Sequence, residues 1–273
     1  SWRRRRVCES GGSAVPEGDT VYRVAKHLHE ALAGQTIVAT DFRVPSAATI
    51  SLVGEPVHEV ISRGKHIIMR IGAYTVHSHL RMEGRWRVVG AGDRLPGPNH
   101  QIRAILTTSS RVAVGLELGM LDVVPTAREH ELVGHLGPDL LGPDWDAAAA
   151  IANLGADPTL PISVALLDQR NLAGIGNEFA NEICFVRGLD PARLIGEVTD
   201  LPAVVTLARR MLHANGDRSI RSSTGDLRPG RTSWVFGREG RTCRRCGTTI
   251  LRTRLGANPT TQRDAYRCPS CQP

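Results

Sequence analysis

Residues 243–271 read CRRCGTTILRTRLGANPTTQRDAYRCPSC. Two Cys-x-x-Cys pairs, Cys243/Cys246 and Cys268/Cys271, enclose 21 residues, enough for a β-hairpin. Each pair is a tight turn that aims two thiolates at one point, and Gly247 follows the first as such turns require. Four cysteines make a closed tetrahedral set, so the spacing predicts one structural Zn2+ with no open position for a substrate. The competing readings are two disulfides or unrelated thiols. Disulfides need an oxidising compartment, and Arg3–Arg6 lead into no apolar run, so export is not expected and the chain is placed in the cytoplasm. Of the remaining cysteines, Cys8 has no evident partner, and Cys184 sits in an apolar helical run and is expected in a core.

The hairpin between the pairs carries Arg252, Arg254, Arg263 and Arg267. A stapled hairpin too small for its own core, covered in arginine, suits a phosphate backbone. Charge along the chain agrees. Residues 201–273 hold 14 Arg against 4 acids, a net of +10, whereas residues 16–200 carry a net of −6 and residues 1–15 a net of +3. Arginine enrichment from a GC-rich genome explains why 32 of 34 basic residues are Arg, but not why they segregate. A basic C-terminal third on an acidic body points to a polyanionic partner. The same bias leaves only Lys26 and Lys65 for any chemistry that needs an ammonium.

Working towards the N-terminus, residues 147–211 are helical in pattern. A helix over about 161–169 meets a break, Asn171-Leu-Ala-Gly-Ile-Gly176, and a new helix starts at Asn177. Gly174 and Gly176 let the backbone approach a ligand, and free N–H groups of the helix beyond suit an anion. Residues 36–124 alternate between Gly and Pro punctuation, with strands expected at 36–43, 57–62, 65–71, 74–80, 85–90, 101–107 and 110–117. His77 and His79 fall on one strand face, in a structural or substrate-orienting role. A helix over 19–33, capped by Asp19 or Thr20, presents Val21, Val24, Ala25, Leu28 and Leu32 and stops at Gly34. Residues 1–15 show no periodicity. No apolar run approaches 18 residues, so no membrane partner is expected, and 273 residues suggest two domains.

Three separated segments then combine: Pro16-Glu17-Gly18-Asp19-Thr20; Ser62-Arg63-Gly64-Lys65-His66 leading to His77-Ser-His-Leu-Arg-Met82-Glu-Gly84; and Leu166-Leu-Asp-Gln169, Leu172-Ala-Gly-Ile-Gly-Asn177, Ala180-Asn-Glu182, with Val235-Phe-Gly-Arg238 before the cysteines. Together they resemble the formamidopyrimidine-DNA glycosylase / endonuclease VIII family, over essentially all of residues 16–273, closest to an endonuclease VIII-like branch found in mycobacteria. The resemblance implies an α+β fold of two domains. One is an N-terminal β-sandwich with a leading helix (16–130). A linker (131–148) joins it to a helix–two-turn–helix DNA-binding domain (149–232) with a zinc-ribbon finger (233–273).

It also implies the chemistry. The family's nucleophile is the secondary amine of an N-terminal proline, here Pro16. With a pKa of about 8, much of it is neutral near physiological pH. Attack on sugar C1′ displaces a damaged base and leaves an iminium, from which β,δ-elimination cuts the strand. Glu17 matches the catalytic glutamate and Lys65 the hairpin lysine beside the lesion phosphate. Met82 matches the wedge that fills the gap of a flipped base, Asn177 a phosphate-binding asparagine, and Arg263 the finger arginine. Taken singly, Glu17 reads equally as a first-turn charge, Met82 as core, and Lys65 and Arg263 as solvated hairpin residues.

Three departures from the family pattern stand out. Thr20 occupies the position of a usual second glutamate, the gap between Cys pairs is longer by an insertion near Gly256–Thr260, and Pro16 is internal. An internal proline nitrogen is a tertiary amide without a free lone pair. Residues 1–15 are therefore expected to be a disordered or non-native extension. Initiation at a GTG codon read as Val15, followed by methionine removal, would free Pro16. The function expected is a bifunctional DNA glycosylase and DNA-(apurinic or apyrimidinic site) lyase of base-excision repair. It would act as a monomer on oxidised pyrimidines in damaged DNA, at the bacterial nucleoid. The alternatives are a non-catalytic binder of damaged or abasic DNA, if Pro16 stays blocked, and a bare zinc-ribbon adaptor.

Overall fold

The computed structural model describes residues 15–273, so all of the expected extension except Val15 lies outside the described residues. Helix α1 (Gly18–Leu32) buries Val21, Ala25, Leu28 and Leu32, spaced four, three and four apart on one face. It packs on two four-stranded antiparallel sheets. One has the order β1 (Ile37–Phe42), β6 (Ile102–Thr108), β7 (Arg111–Leu116), β5 (Arg85–Gly90). The other runs β2 (Val57–Arg63), β3 (His66–Ile71), β4 (Tyr74–His79), β8 (Met120–Pro125). The sheets and α1 share a single core that includes Ile37, Phe42, Trp86 and Leu106 from the first sheet and Ile67, Met69, Val76 and Leu121 from the second. This is the α+β sandwich with a leading helix.

The seven expected strands are present, and an eighth, β8, was not anticipated. Its apolar residues Leu121 and Val123 alternate, but the flanking Gly119 and Pro125 read as loop. A five-residue helix, α2 (Glu129–Val133), follows.

The helical part places α3 (Ala147–Gly155), α4 (Ile162–Leu167), α5 (Asn177–Arg187) and α6 (Leu201–Gly216) around a second core containing Leu166, Phe179, Ile183, Cys184, Val205 and Leu212. Cys184 is fully buried there. Asp146 and Asp200 cap α3 and α6 through the N–H groups of Ala149 and Ala203. The segment between α4 and α5 is a polar-stapled break. The Gln169 amide donates to Leu167 O and Ile175 O and accepts from Gly174 N, so the loop is held by one side chain. A two-stranded hairpin, β9 (Leu251–Leu255) with β10 (Arg263–Arg267), completes the chain over a small core of Phe185, Val235, Ile250 and Cys268. Among the described residues no helix is long and apolar enough to cross a membrane.

Candidate active site

The two halves meet where α1 begins and α5 begins. Gly18 N–H donates to Gly174 O at 2.8 Å, and a Cβ on Gly18 would lie 2.8 Å from Gly174 Cα. Only glycine permits this approach. It carries Glu17, 2% exposed, onto the N-terminus of α5. There the carboxylate accepts from Gly176 N (2.7 Å), Glu178 N (2.8 Å) and, longer, Phe179 N (3.4 Å). The free N–H groups that the sequence assigned to an anion are therefore taken by this chain's own glutamate, which caps the helix from 159 to 161 residues away in sequence. Pro16, directly before it, is half-buried at the mouth of the same junction.

A second glycine brings the hairpin lysine to the same loop. Gly64 has φ +58°, its N–H donates to Asp139 Oδ2 at 2.9 Å, and a Cβ there would meet Ala173 Cβ at 2.9 Å. The β2–β3 turn thus leans on the α4–α5 break and presents Lys65 beside it. Burial pushes the Lys65 ammonium pKa down; the Glu17 charge opposes this, and Arg221 and Arg263 reinforce it. Lys65, Glu17, Arg221 and Arg263 therefore share one electrostatic field.

Met82, in the turn after β4, is 55% exposed, which excludes the core reading for it. The turn is strained at Arg81 (φ +52°), whose N–H donates to His79 Nδ1 at 2.9 Å. Behind it His66 Nδ1 lies 2.8 Å from His77 Nε2, and His77 Nδ1 lies 3.1 Å from Asp122 Oδ2. Burial, with the neighbouring histidines next, lowers His66 to about 3; burial, then Lys65, lowers His79 to about 4. Both rings are uncharged near neutrality. The alternation of His77 and His79 was legible; their packing against His66 and Asp122 depends on strand register and was not.

Asn177 donates through Nδ2 to Asp264 O at 3.0 Å, so it braces the hairpin, with one amide hydrogen left over. Asn181 joins it, donating to Asp264 O at 3.2 Å and accepting from Tyr266 N at 2.6 Å. Of the four hairpin arginines, Arg252 pairs with Glu239 and Asp264, and Arg267 with Asp190. Arg254 and Arg263 are exposed and have no acidic partner among the described residues. The thiol sulfurs of Cys243, Cys246, Cys268 and Cys271 all lie within 4.8 Å of one another, and these cysteines are free, so the four form a site able to hold a metal ion.

Sequence reasoning missed Arg221, which makes a two-pronged pair with Asp19 at 2.6 and 2.8 Å and lies 2.9 Å from Glu178 Oε2. It is one of 14 arginines in its third of the chain, in a segment without periodicity, so nothing local distinguished it.

The family model for the formamidopyrimidine-DNA glycosylase N-terminal domain matches residues 15–120. A probable endonuclease 8 2 of Streptomyces coelicolor is 51% identical, the match covering 94% of each chain. A DNA-(apurinic or apyrimidinic site) lyase Nei2 of Mycolicibacterium smegmatis is 48% identical over 94% of this chain and 99% of its own length. In structure, a Lactococcus lactis Fpg in complex with abasic-site-containing DNA superposes with a TM-score of 0.76 at 22% identity, covering 94% of this chain and 99% of that one. With half of its residues shared with full-length relatives and the same overall fold, this chain belongs to the formamidopyrimidine-DNA glycosylase / endonuclease VIII family.

Proposed function

We propose that the protein is a bifunctional DNA glycosylase and DNA-(apurinic or apyrimidinic site) lyase that removes oxidised pyrimidines and then cuts the strand. The observation that carries this is the seating of Pro16-Glu17 on the N-terminus of α5, beside Lys65. A proline with a free amine placed there attacks sugar C1′; the C1′–base bond breaks and its electron pair leaves with the base, which takes up a proton. The amine loses its proton, the C1′–O4′ bond opens with protonation of O4′, and an iminium remains. The iminium acidifies the 2′ proton. Loss of that proton expels the 3′ phosphate, and loss of the 4′ proton then expels the 5′ phosphate.

Each side chain has a task in this reading. Glu17 moves the proton to and from the sugar oxygen. Lys65, less strongly protonated than an exposed lysine, contacts the phosphate next to the lesion and assists base release. Met82 enters the stack to fill the gap of the flipped nucleotide, offsetting part of a flipping cost of roughly a few kcal/mol. Asn177 gives its second amide hydrogen, and Arg263 its guanidinium, to phosphates. The four cysteines hold zinc, whose part is to fix the hairpin that carries Arg254 and Arg263. The units in this reading are residues 16–130 for catalysis, 131–148 as the connection, 149–232 for DNA binding and 233–273 as the finger. The protein works as a monomer on nucleoid DNA in the bacterial cytoplasm.

Borohydride trapping on an oligonucleotide with one abasic site tests the proposal. Protein whose first residue is Pro16 is expected to give a covalent adduct, and a form that retains one residue before Pro16, so that its nitrogen is an amide, none. E17Q is expected to keep abasic-site lyase activity but lose base excision by about 10²-fold or more. The full chain from Ser1, with its Val15–Pro16 amide intact, is the form for which the non-catalytic binder is the alternative. An adduct from that blocked form equal to that of the parent overturns the assignment of the nucleophile. An excision panel of oxidised pyrimidines, formamidopyrimidine and 8-oxoguanine decides the substrate.

A further inference from the structure

The chemistry above leaves unused a buried ionic cluster on the flank of Pro16. Arg221 follows α6, and its side chain is only 7% exposed. Its Nε and Nη2 grip the Asp19 carboxylate at 2.8 and 2.6 Å, Nη2 donates to Thr20 Oγ1 at 3.1 Å, and Nη1 donates to Glu178 Oε2 at 2.9 Å. Nη1 also lies 3.8 Å from Glu17 Oε1. The guanidinium carbon sits 5.0 Å from the centre of the Phe179 ring. One cation thus joins carboxylates from the first turns of two helices, α1 and α5, in a place closed to water. Such a set is held together by its completeness, because removing one partner strands the rest.

Its distance from the reacting nitrogen follows from the backbone. Arg221 Nη1 and Nη2 donate to the carbonyl oxygen of Val15 at 3.4 and 3.5 Å. That oxygen lies about 2.3 Å from Pro16 N across one amide, so the guanidinium is within about 6 Å of the nitrogen. A fixed positive charge at that range disfavours protonation of an amine; carboxylates favour it. The groups facing this point are Arg221, Glu17, Asp19 and Glu178, with Glu182 behind Glu178 on α5, Ser233 Oγ 3.5 Å from Glu178 Oε1, and Lys65 and Arg263 from the two hairpins. Among the carboxylates, Glu178 is the one brought into the working range. Burial, opposed by Arg221 and reinforced by Glu17, pushes it up to about 7.

We propose that Arg221, shared between Asp19 and Glu178, is a positioning residue for the Pro16 amine, fixing it against α5 and keeping it deprotonated, and that Glu178 links this effect to pH. The proposal rests on Pro16 being the nucleophile. As Glu178 ionises, its charge offsets Arg221 and the amine holds its proton more tightly. Removing that charge with a residue of the same shape therefore moves the alkaline activation of the enzyme to lower pH.

The test is the pH profile of single-turnover cleavage of abasic-site DNA, together with affinity for a duplex carrying a tetrahydrofuran abasic analogue. All forms begin at Pro16, and thermal unfolding serves as a control for folding. E178Q is expected to lower the midpoint of the activity rise by about 0.5–1 pH unit. R221Q is expected to raise the midpoint and to slow cleavage at pH 7 at least 10-fold, while affinity for the analogue changes less than about 3-fold. R221K is expected to restore the midpoint without the full plateau, since it keeps the charge but not the two-pronged grip. An E178Q profile that superimposes on the parent's overturns the proposal. So does an R221Q loss that is equal at every pH and that R221K does not relieve. If R221Q fails to fold, E178Q and R221K decide by the same midpoints. A parent protein that traps no more iminium than the form with one residue retained before Pro16 brings down the Pro16 reading itself.

Discussion

Substituting Gly18 with alanine is expected to damage both stability and catalysis, and the size follows from distances. A Cβ at position 18 would stand 2.8 Å from Gly174 Cα, 2.8 Å from Gly174 O and 3.1 Å from Gly174 C. All three are backbone atoms of a loop stapled by Gln169, so neither side yields by rotating a side chain. To reach ordinary contact the start of α1 must retreat by about 0.6 Å or more. Overpacking of this kind costs about 1–3 kcal/mol. The Gly18 N–H to Gly174 O bond, 2.8 Å, is stretched or lost as well, leaving a buried donor at about 1 kcal/mol or more. A total of about 2–4 kcal/mol corresponds to a fall in Tm of roughly 5–15 °C for a chain of this size. Pro16 and Glu17, the reacting groups of the proposed function, precede Gly18 directly, and a misplacement approaching 1 Å at such groups costs on the order of 10²-fold in rate. Gly155 supplies the contrast. It ends α3, and its nearest heavy atom would be Leu201 Cδ1 at 3.6 Å, so G155A is expected to gain about 0.5–1 kcal/mol and leave cleavage unchanged. Calorimetry and single-turnover cleavage, on forms beginning at Pro16, measure both. A G18A protein with the parent's Tm and a rate within twofold would refute the idea that this close approach seats the catalytic residues.

Removing the thiolate-bound metal with a chelator, or making C268S, is expected to free the β9–β10 hairpin and weaken abasic-DNA binding at least 10-fold, with far-ultraviolet circular dichroism of the sandwich retained; elemental analysis should find one zinc per chain, and full affinity without metal would contradict this. R254Q and R263Q should each lower the slope of log K against log salt by about 0.9, whereas R252Q, already paired with Glu239 and Asp264, should change it less. Glu178 should also mark the stability curve. Its folded pKa of about 7 stands above the ordinary carboxyl value of 4.5, so the folded state binds the extra proton between these values, and stability falls as pH rises through that window. Relative to E178Q, the parent should lose about 3 kcal/mol between pH 4.5 and 7, read from urea unfolding; a flat difference would show that Glu178 is not the titrating group.

Residue patterns exposed the fold where period and punctuation coincide. Strands β2 to β4 alternate between turn glycines, and α1 carries a complete apolar stripe, so their ends came within a residue or two. Strand β8 escaped because Gly119 and Pro125 at its ends read as loop, and what makes the short alternation of Leu121 and Val123 a strand is its pairing with β4, between Tyr74↔Pro125 and His79↔Met120. The four-cysteine cluster was legible because its spacing is itself the geometry. Only the family resemblance sets Pro16, Glu17 and Lys65 apart as a group, and the structure adds that they lie about one loop. What the sequence did not disclose is that the N-terminus of α5, read as an anion site, is filled by Glu17, and that Asn177 spends one hydrogen on the hairpin.

The segment Asn177-Glu-Phe-Ala-Asn-Glu182 explains why one short helix organises the site. Residues four apart on a helix share a face, so this hexapeptide offers two polar pairs, Asn177 with Asn181 and Glu178 with Glu182. The asparagine pair meets Asp264 O and Tyr266 N and fixes the hairpin. The glutamate pair faces the segment after α6: Glu178 takes Arg221, and Glu182 accepts from Trp234, Val235 and Phe236 N–H at 2.7, 2.9 and 2.9 Å. The helix end between them receives Glu17 from the sandwich. Three units from distant parts of the chain are thereby registered on eleven residues, with errors no larger than a hydrogen bond allows. Burying Glu178, Asn181 and Glu182 on one helix is costly unless each is satisfied. Here the partners are the Arg221 guanidinium and backbone groups of the very segments that must be positioned, so the polar burial that would destabilise an isolated helix becomes the means by which the hairpin, the Arg221 segment and the proline end are held in a fixed relation.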